Sequence, residues 1–366
     1  MSAPQVTSQR LVVSARPRFE VEGEAQGRLG VDLLRLEVSH DEDGMARLEA
    51  VFLNWGQAEQ GRAPGFMYFD ERVLALGRRL VVRAGAEDNE AVIFDGYITA
   101  LAGAFPDLRP PEIRVNAEDA LQPLRLRERT RLFEDEDEGG MVDRIASDHG
   151  LRGGADTQGT HHRALWQVNQ NDLSFLRERA RAADARLEVG DGTLRFKPRR
   201  ESGGSPIRLS WKNQLMRFEA AADLAHQRTE VRVHGWSVQD KSAIHGTAEK
   251  GVLDAEASGG KTGAKVLEDL GWEAVEHLHL EAPATEEEAR ALAEAQLKRR
   301  GRRFLFGRGV TDGTPRLTVG ATVELLDLGD WFSGNWNVCT VRHTFDLKDG
   351  LRTFFSAERV DLGGGR

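Results

Sequence analysis

Short runs in which apolar and polar residues alternate fill the first 120 positions of the chain. The clearest runs span 46–52, 79–84 and 92–98, and turn residues separate them. A two-residue period is typical of strands that bury one face. Several such strands at close spacing favour a small antiparallel β-barrel or sandwich. We therefore predict a first β-barrel domain over residues 1–118.

From about residue 119 the apolar period lengthens toward 3.6 residues. Helices are predicted over 138–149 and from residue 172 onward, where Asn171 or Asp172 can cap the first turn by accepting backbone N–H bonds. A hairpin follows, with its turn at Gly190-Asp-Gly192. The segment 119–205 is therefore predicted to be a small α+β domain.

Strand character returns at 207–215 and 229–236 and then stops for about 65 residues. The interruption contains a glycine-rich stretch at 259–263, which is predicted to be a flexible loop. It also contains a helix that begins with the capping box Thr285-x-x-Glu288. Strands resume from 319 to the end of the chain.

This pattern predicts a second β-barrel over 206–240 and 303–362, interrupted by a helix-containing insertion over 241–302. The fold class is mainly β with α+β: two small antiparallel β-barrels with an α+β domain between them. The barrels share a short sequence echo, Phe94-x-Gly96 and Phe332-x-Gly334, which hints at an internal repeat.

Composition narrows the functional classes. The chain has 366 residues, one cysteine, and 59 acidic against 50 basic side chains, for a formal charge of −9. This balance argues against stable nucleic-acid binding. The N-terminus lacks a signal-peptide pattern, and no apolar run reaches the roughly 18 residues of a membrane span. We expect cytoplasmic synthesis and assembly, without membrane insertion.

The sequence contains fragments of nucleotide-binding and metal-binding motifs, but none of these motifs is complete. Gly260-Lys-Thr262 invites a phosphate-loop interpretation, but Ala255 stands where the first glycine is needed. The pairs His161-His162 and His277-x-His279 offer two metal ligands at most, and Cys339 is predicted to be a buried thiol. No catalytic residue, cofactor-binding residue or metal ligand is predicted, and the chain is expected not to be an enzyme. A tail-associated peptidoglycan hydrolase remains the alternative, because paired carboxylates leave no fixed spacing.

The aromatic cluster Trp331, Phe332 and Trp336 is the candidate contact surface, since aromatic residues dominate the centres of protein interfaces. The alternative is that these rings are buried in the last β-domain.

Several strings, in this order of elements, resemble the phage late control protein D family, the hub proteins of contractile tails. The helix string Asn169 to Ala180 is similar to that family's Asp-Leu-x-Phe-Leu-x-Arg motif, with Asp172, Leu173, Phe175, Leu176 and Arg177 at the matching positions. Supporting strings lie at 92–98, 115–121, 229–236 and 338–345. The hub region of valine-glycine repeat spike proteins is a relative of this family.

The resemblance implies a baseplate hub: a homotrimer whose six barrels form a ring that adapts a sixfold tail tube to a threefold spike. Because the sequence ends at Arg366, the spike is expected to be a separate protein. Tail tube protein and other baseplate components are the remaining expected partners. The assembled protein would form part of a phage tail or injection particle.

Overall fold

The computed structural model describes residues 16–42, 44–57, 63–85, 90–156, 159–200, 205–279 and 283–363. The N-terminal residues 1–15 and most of the predicted turn at 85–89 lie outside this part. Among the described residues, no helix combines the length and apolar character needed to cross a lipid bilayer.

The first β region contains β1 (Arg18–Val21), β2 (Glu24–Ala25), α1 (Gly27–Asp32), β3 (Leu33–Asp41), β4 (Arg47–Leu53), β5 (Arg79–Ala84), β6 (Ala91–Ala104) and β7 (Glu112–Asp119). The middle part contains a short 3-10 helix (Gln122–Arg125), β8 (Glu128–Asp137), α2 (Glu138–Asp148), β9 (Arg152–Ala155), β10 (His161–Asn171), α3 (Asp172–Ala182), β11 (Ala185–Gly190) and β12 (Thr193–Pro198).

The remaining elements up to the long helix are β13 (Ile207–Ser210), β14 (Leu215–Ala222), β15 (Glu230–Ser237), β16 (Ser242–Glu249), α4 (Gly251–Asp254), β17 (Lys261–Thr262), α5 (Gly263–Asp269), β18 (Val275–Leu278) and α6 (Glu286–Arg302). The last elements are β19 (Leu305–Thr311), β20 (Thr322–Leu326), α7 (Gly329–Phe332), β21 (Gly334–Asp346), β22 (Gly350–Arg359) and β23 (Asp361–Leu362).

The protein is mainly β with smaller α+β parts, which confirms the predicted fold class; the arrangement as two barrels stays a prediction. One 13-stranded sheet runs through both β regions, in the order β14-β19-β22-β21-β3-β4-β7-β6-β5-β1-β2, with β20 and β13 branching from β21. The two β regions are therefore continuous through the ladder between β21 and β3. Within this sheet pairing is antiparallel except between β13 and β20, which run parallel.

The two β regions repeat one strand order, although β1 pairs antiparallel with β5 whereas β13 pairs parallel with β20. In both chain order and spatial order, β1, β3, β4, β5, β6 and β7 correspond to β13, β14, β19, β20, β21 and β22. The β-bulges coincide as well: one lies after Ile98 in the β6–β7 ladder, and the other after Val338 in the β21–β22 ladder. This alignment pairs Gly96 with Trp336, so the sequence echo between Gly96 and Gly334 is out of register with the repeat.

Four hydrophobic clusters organise the described residues. The first lies in the first β region, with Phe345 and Leu351 contributed by the β21–β22 hairpin, and the second lies within the middle α+β part. The third fills the second β region, and the fourth lies between α6 and the sheet β16-β15-β18. These clusters support a division of the chain into four parts. The exact boundaries of these parts stay a prediction.

One strand lies in a different place from the prediction. The alternating pattern predicts that residues 229–236 form a strand of the second barrel. In the structure this segment is β15, which pairs with β16 and β18 and packs on α6. An alternating apolar pattern specifies which face of a strand is buried but not its partner. The insertion therefore begins at β15. The glycine-rich stretch, predicted to be a flexible loop, forms β17 and the start of α5, where Thr262 caps the helix.

The helix string that carries the family resemblance has a structural explanation. Asn171 caps α3 by accepting the Ser174 backbone N–H, while Leu173, Phe175 and Leu176 are buried in the middle cluster. Asp172 is fully buried and accepts hydrogen bonds from Gln167 and Arg131. Burial alone would raise the pKa of this carboxyl, but its hydrogen bonds and nearby arginines hold the pKa below its usual value.

Candidate assembly interface

The three aromatic residues of the predicted contact surface lie in different environments. Trp336 is completely buried in the second β region, and its indole N–H donates to the Phe332 carbonyl at 2.9 Å. Phe332 packs against the same core, whereas Trp331 is 62% exposed. Trp336 is therefore a core residue and cannot form part of a contact surface. The sequence did not distinguish these positions because all three rings belong to one short aromatic segment.

The ladder between β21 and β3 joins the two β regions. It pairs Thr340 with Asp41 at one end and Asp346 with Arg35 at the other. Arg342 faces Glu37 across the ladder, with 3.7 Å between charged atoms. This junction shows how one β region of this chain contacts another: strand beside strand, with backbone hydrogen bonds and complementary charges.

The same two strand edges occur a second time, without a partner strand. By the repeat, β6 corresponds to β21 and β14 corresponds to β3. Beyond Ile98, β6 pairs only with β7, and β14 lies at the end of the sheet, paired with β19. Within the described residues, the segments 99–104 of β6 and 216–222 of β14 thus have one side open. We call them the β6 edge and the β14 edge.

The repeat also predicts a register for the two edges. The matched ladders place Ala102 at the position of Arg342 and Ala221 at the position of Ser39. Arg342 and Ser39 are direct partners in the β21–β3 junction. Both alanines are exposed. Natural sheets usually protect open edges with charged residues, proline or bulges. Apart from the bulge after Ile98, the β6 edge has no such protection, since residues 99–104 are Thr-Ala-Leu-Ala-Gly-Ala. These edges are suited to strand pairing.

An exposed aromatic patch adjoins the β6 edge. It consists of Trp55, Phe66, Phe69 and Phe105, whose rings contact one another at centroid distances of 5.3–5.9 Å. Each ring is more than 40% exposed. A Cβ at Gly103 would lie 2.9 Å from Phe69, so the patch abuts the edge strand itself. Exposed apolar patches of this kind mark contact surfaces. Sequence reasoning missed it because the four rings are scattered between residues 55 and 105.

Comparison with known proteins agrees with this architecture. A family model described as the Alg8 N-terminal domain matches residues 29–346. The chain belongs to this family. No curated protein matches it at the sequence level.

Solved structures of tail proteins resemble this Alg8 N-terminal domain family member over nearly its full length. The 43 kDa tail protein of prophage MuSo2 from Shewanella oneidensis has a TM-score of 0.69 at 12% identity, covering 94% of this chain and 98% of its own. A tail protein from Neisseria meningitidis MC58 has a TM-score of 0.66 at 11% identity, covering 95% and 98%. The E. coli c3393 protein, a component of the type VI secretion system, has a TM-score of 0.57 at 12% identity, covering 91% and 75%. The resemblance to phage tail proteins is thus confirmed at the level of the fold.

A buried ionic network joins the parts of this Alg8 N-terminal domain family chain. The Arg302 guanidinium, at the end of α6, is 1% exposed and donates to both Asp184 of the middle part and Glu256 of the insertion. Although burial opposes its charge, these carboxylates raise the pKa of Arg302. Arg199 of the middle part pairs with Glu42, which directly follows β3 of the first β region. The network fixes the parts relative to one another.

The strand position of Cys339 predicted a thiol buried in the apolar core. In the structure, Cys339 instead borders this ionic network. It lies at the β-bulge of β21, and its thiol is close to the carboxylates of Glu42 and Glu358, with the three ligand-type atoms within 4.8 Å of one another. Burial raises the pKa of the Cys339 thiol well above its usual value, and burial raises the pKa of Glu42 to about 7. Because Glu42 is already paired with Arg199, we assign this trio to the ionic network.

The histidine pair His161-His162 divides between surface and interior. His161 is exposed, whereas His162 is buried between Glu138 of α2 and Glu288 of α6, at 2.7 and 3.0 Å. Burial disfavours the charged ring, but the two carboxylates outweigh it and raise the pKa of His162 to about 9. Glu288 also belongs to the predicted capping box, and Thr285 accepts its backbone N–H. His162 therefore links the middle part to the insertion.

Proposed function

We propose that this protein is a structural, non-enzymatic hub subunit of the baseplate of a contractile tail or injection system. The fold of solved tail proteins supports this proposal, and so does the absence of catalytic motifs in the sequence. The observation that carries it is the pair of open edges on β6 and β14, which match the β21–β3 junction inside the chain.

The proposed assembly is a homotrimeric ring. In it, the β6 edge of one subunit pairs with the β14 edge of the next and repeats the internal junction between chains. Head-to-tail contacts of this kind form a closed ring only if the rotation per subunit closes. If each β region advances by one sixth of a turn, three chains complete a ring of six similar β regions. The aromatic patch beside the β6 edge would be covered in this contact.

Such a ring would adapt a sixfold tail tube to a threefold spike, because its six β regions alternate between two kinds. The proposed partners are therefore the tube protein, a separate spike protein and other baseplate components. Its net charge of −9 suits a ring that does not bind nucleic acid stably. The proposed route is synthesis and assembly in the cytoplasm, followed by incorporation into the tail or injection particle, without membrane insertion.

Paired cysteines provide a test of the predicted register. Ala102→Cys and Ala221→Cys, combined with Cys339→Ser to remove the native thiol, place two cysteines at partner positions of the proposed contact. Partner Cα atoms in an antiparallel ladder lie about 4.5–5.5 Å apart, within disulfide range. Mild oxidation, followed by non-reducing electrophoresis and light scattering, should yield a covalent trimer that reverts to monomer on reduction.

The matched control replaces Ala221→Cys with Ala243→Cys, an exposed position on β16 in the insertion. This variant should form no regular trimer. Open ladders of higher oligomers would contradict ring closure, and equal crosslinking in the control would contradict the register. A protein that stays monomeric at every concentration tested, both alone and with the spike protein of its own particle, would overturn the proposed hub function.

A further inference from the structure

Four histidines lie on one face of the insertion's three-stranded sheet. Val231 and Val233 of β15 point toward α6 and are fully buried, so that His234 lies on the opposite, outer face. The same alternation places His245 of β16 on the outer face. His277 of β18 and His279, just beyond the end of β18, lie on this face as well. The sheet thereby gathers imidazoles from three strands that are separated by up to 45 positions in sequence.

Strand register brings the rings together. His234 and His245 are direct partners in the β15–β16 ladder, and their Nδ1 atoms are 3.2 Å apart. The Nε2 atom of His234 lies 3.1 Å from Nδ1 of His277. The ring of His279 is nearly parallel to that of His234, with 5.1 Å between centroids, and it lies 6.0 Å from the ring of His277.

Both N···N contacts are hydrogen bonds, and their lengths are close to the separation of two ligands on one metal ion. Two nitrogens bound to one tetrahedral zinc ion are about 3.3 Å apart, given Zn–N bonds of about 2.0–2.1 Å. Neutral imidazole is the form that binds metal.

We propose that His234, His277 and His279 form a surface site for a divalent transition-metal ion of the zinc class. At present Nε2 of His234 and Nδ1 of His277 point at each other in a hydrogen bond, and rotation of the exposed His277 and His279 side chains would turn one nitrogen of each ring, with Nε2 of His234, toward a common ion. His245 bonds the other nitrogen of His234, and it would orient that ring as carboxylates and carbonyls orient metal-binding histidines elsewhere. Three imidazoles leave the fourth position open for water or for a donor from another molecule.

Sequence inspection alone could not find this site. The pair His277-x-His279 offers two ligands on one strand face, and the sequence analysis therefore predicted no metal site. The third and fourth imidazoles come from β15 and β16, which join β18 in one sheet only in the folded insertion.

The test uses the full chain without an affinity tag. Titration with Zn²⁺ in a calorimeter at pH 7.5 should show one equivalent bound, and Co²⁺ should give the visible absorption bands of a tetrahedral site. His277→Ala and His279→Ala should each weaken Zn²⁺ binding at least about tenfold, and His245→Ala by about tenfold through loss of orientation. Circular dichroism should be unchanged in each variant, because all four side chains lie on the outer face.

Two control variants isolate the cluster. His226→Ala removes an exposed histidine on the β14–β15 connection, and Cys339→Ser removes the thiol beside Glu42 and Glu358; both should leave the Zn²⁺ affinity and stoichiometry unchanged. Wild-type protein that binds less than one equivalent, or cluster variants that bind as tightly as His226→Ala, would overturn the proposal. Loss of binding in Cys339→Ser alone would assign the metal to the other trio instead.

Discussion

His162 offers the sharpest test of how the insertion is held to the rest of the molecule. Its ring nitrogens bond Glu138 and Glu288, which lie in the middle part and on α6 respectively. A rise in pKa from 6.5 to about 9 corresponds to roughly 3 kcal/mol in favour of the protonated ring in the folded state. We expect His162→Gln to lower the free energy of unfolding by about 2–3 kcal/mol at pH 6, since two buried carboxylates lose their cation.

The pH dependence gives the prediction its sign. Because the folded-state pKa of His162 is raised, its stabilisation is fully present below pH 6.5 and is lost as the pH rises through about 9. The stability difference between wild type and His162→Gln should therefore shrink from pH 6 to pH 10. Groups that titrate in both proteins cancel from this difference.

Chemical denaturation followed by circular dichroism at several pH values measures the difference. His161→Gln is the matched control, because its ring is exposed and its ion pair with Asp135 spans 3.4 Å at the surface; we expect less than about 0.5 kcal/mol. A loss in His162→Gln that is the same at pH 6 and pH 10, or one below about 1 kcal/mol, would refute the assignment of a protonated, doubly paired imidazole.

Two further substitutions test the packing described above. Arg302→Met leaves two largely buried carboxylates without their shared cation, and it should lower the free energy of unfolding by about 3–5 kcal/mol in thermal or chemical denaturation. Arg303→Met, at the neighbouring exposed position, should change the free energy of unfolding little. Equal losses in the two variants would argue against the ionic network. Trp336→Ala should lower stability by about 3–5 kcal/mol, and Trp331→Ala should leave it nearly unchanged; the reverse order would contradict the burial of the Trp336 ring.

The sequence by itself determined the local elements of this protein. Alternating apolar positions identified most strands of both β regions, and side-chain caps identified the start of α3, at Asn171 or Asp172, and the start of α6, at Thr285. These features depend on residues two to four positions apart, whose chemistry can be read directly along the chain. The change of period near residue 119 likewise separated the first β region from the middle part.

Only the tertiary structure decided which elements meet. Strand β15 has the same alternation as a barrel strand, yet it pairs with β16 and β18, because register and partner depend on long-range packing. Trp336 and Trp331 look alike in sequence, but only one points into the core. The open edges and the histidine cluster arise from strands far apart in the chain. Their chemistry exists only where folding places those strands side by side.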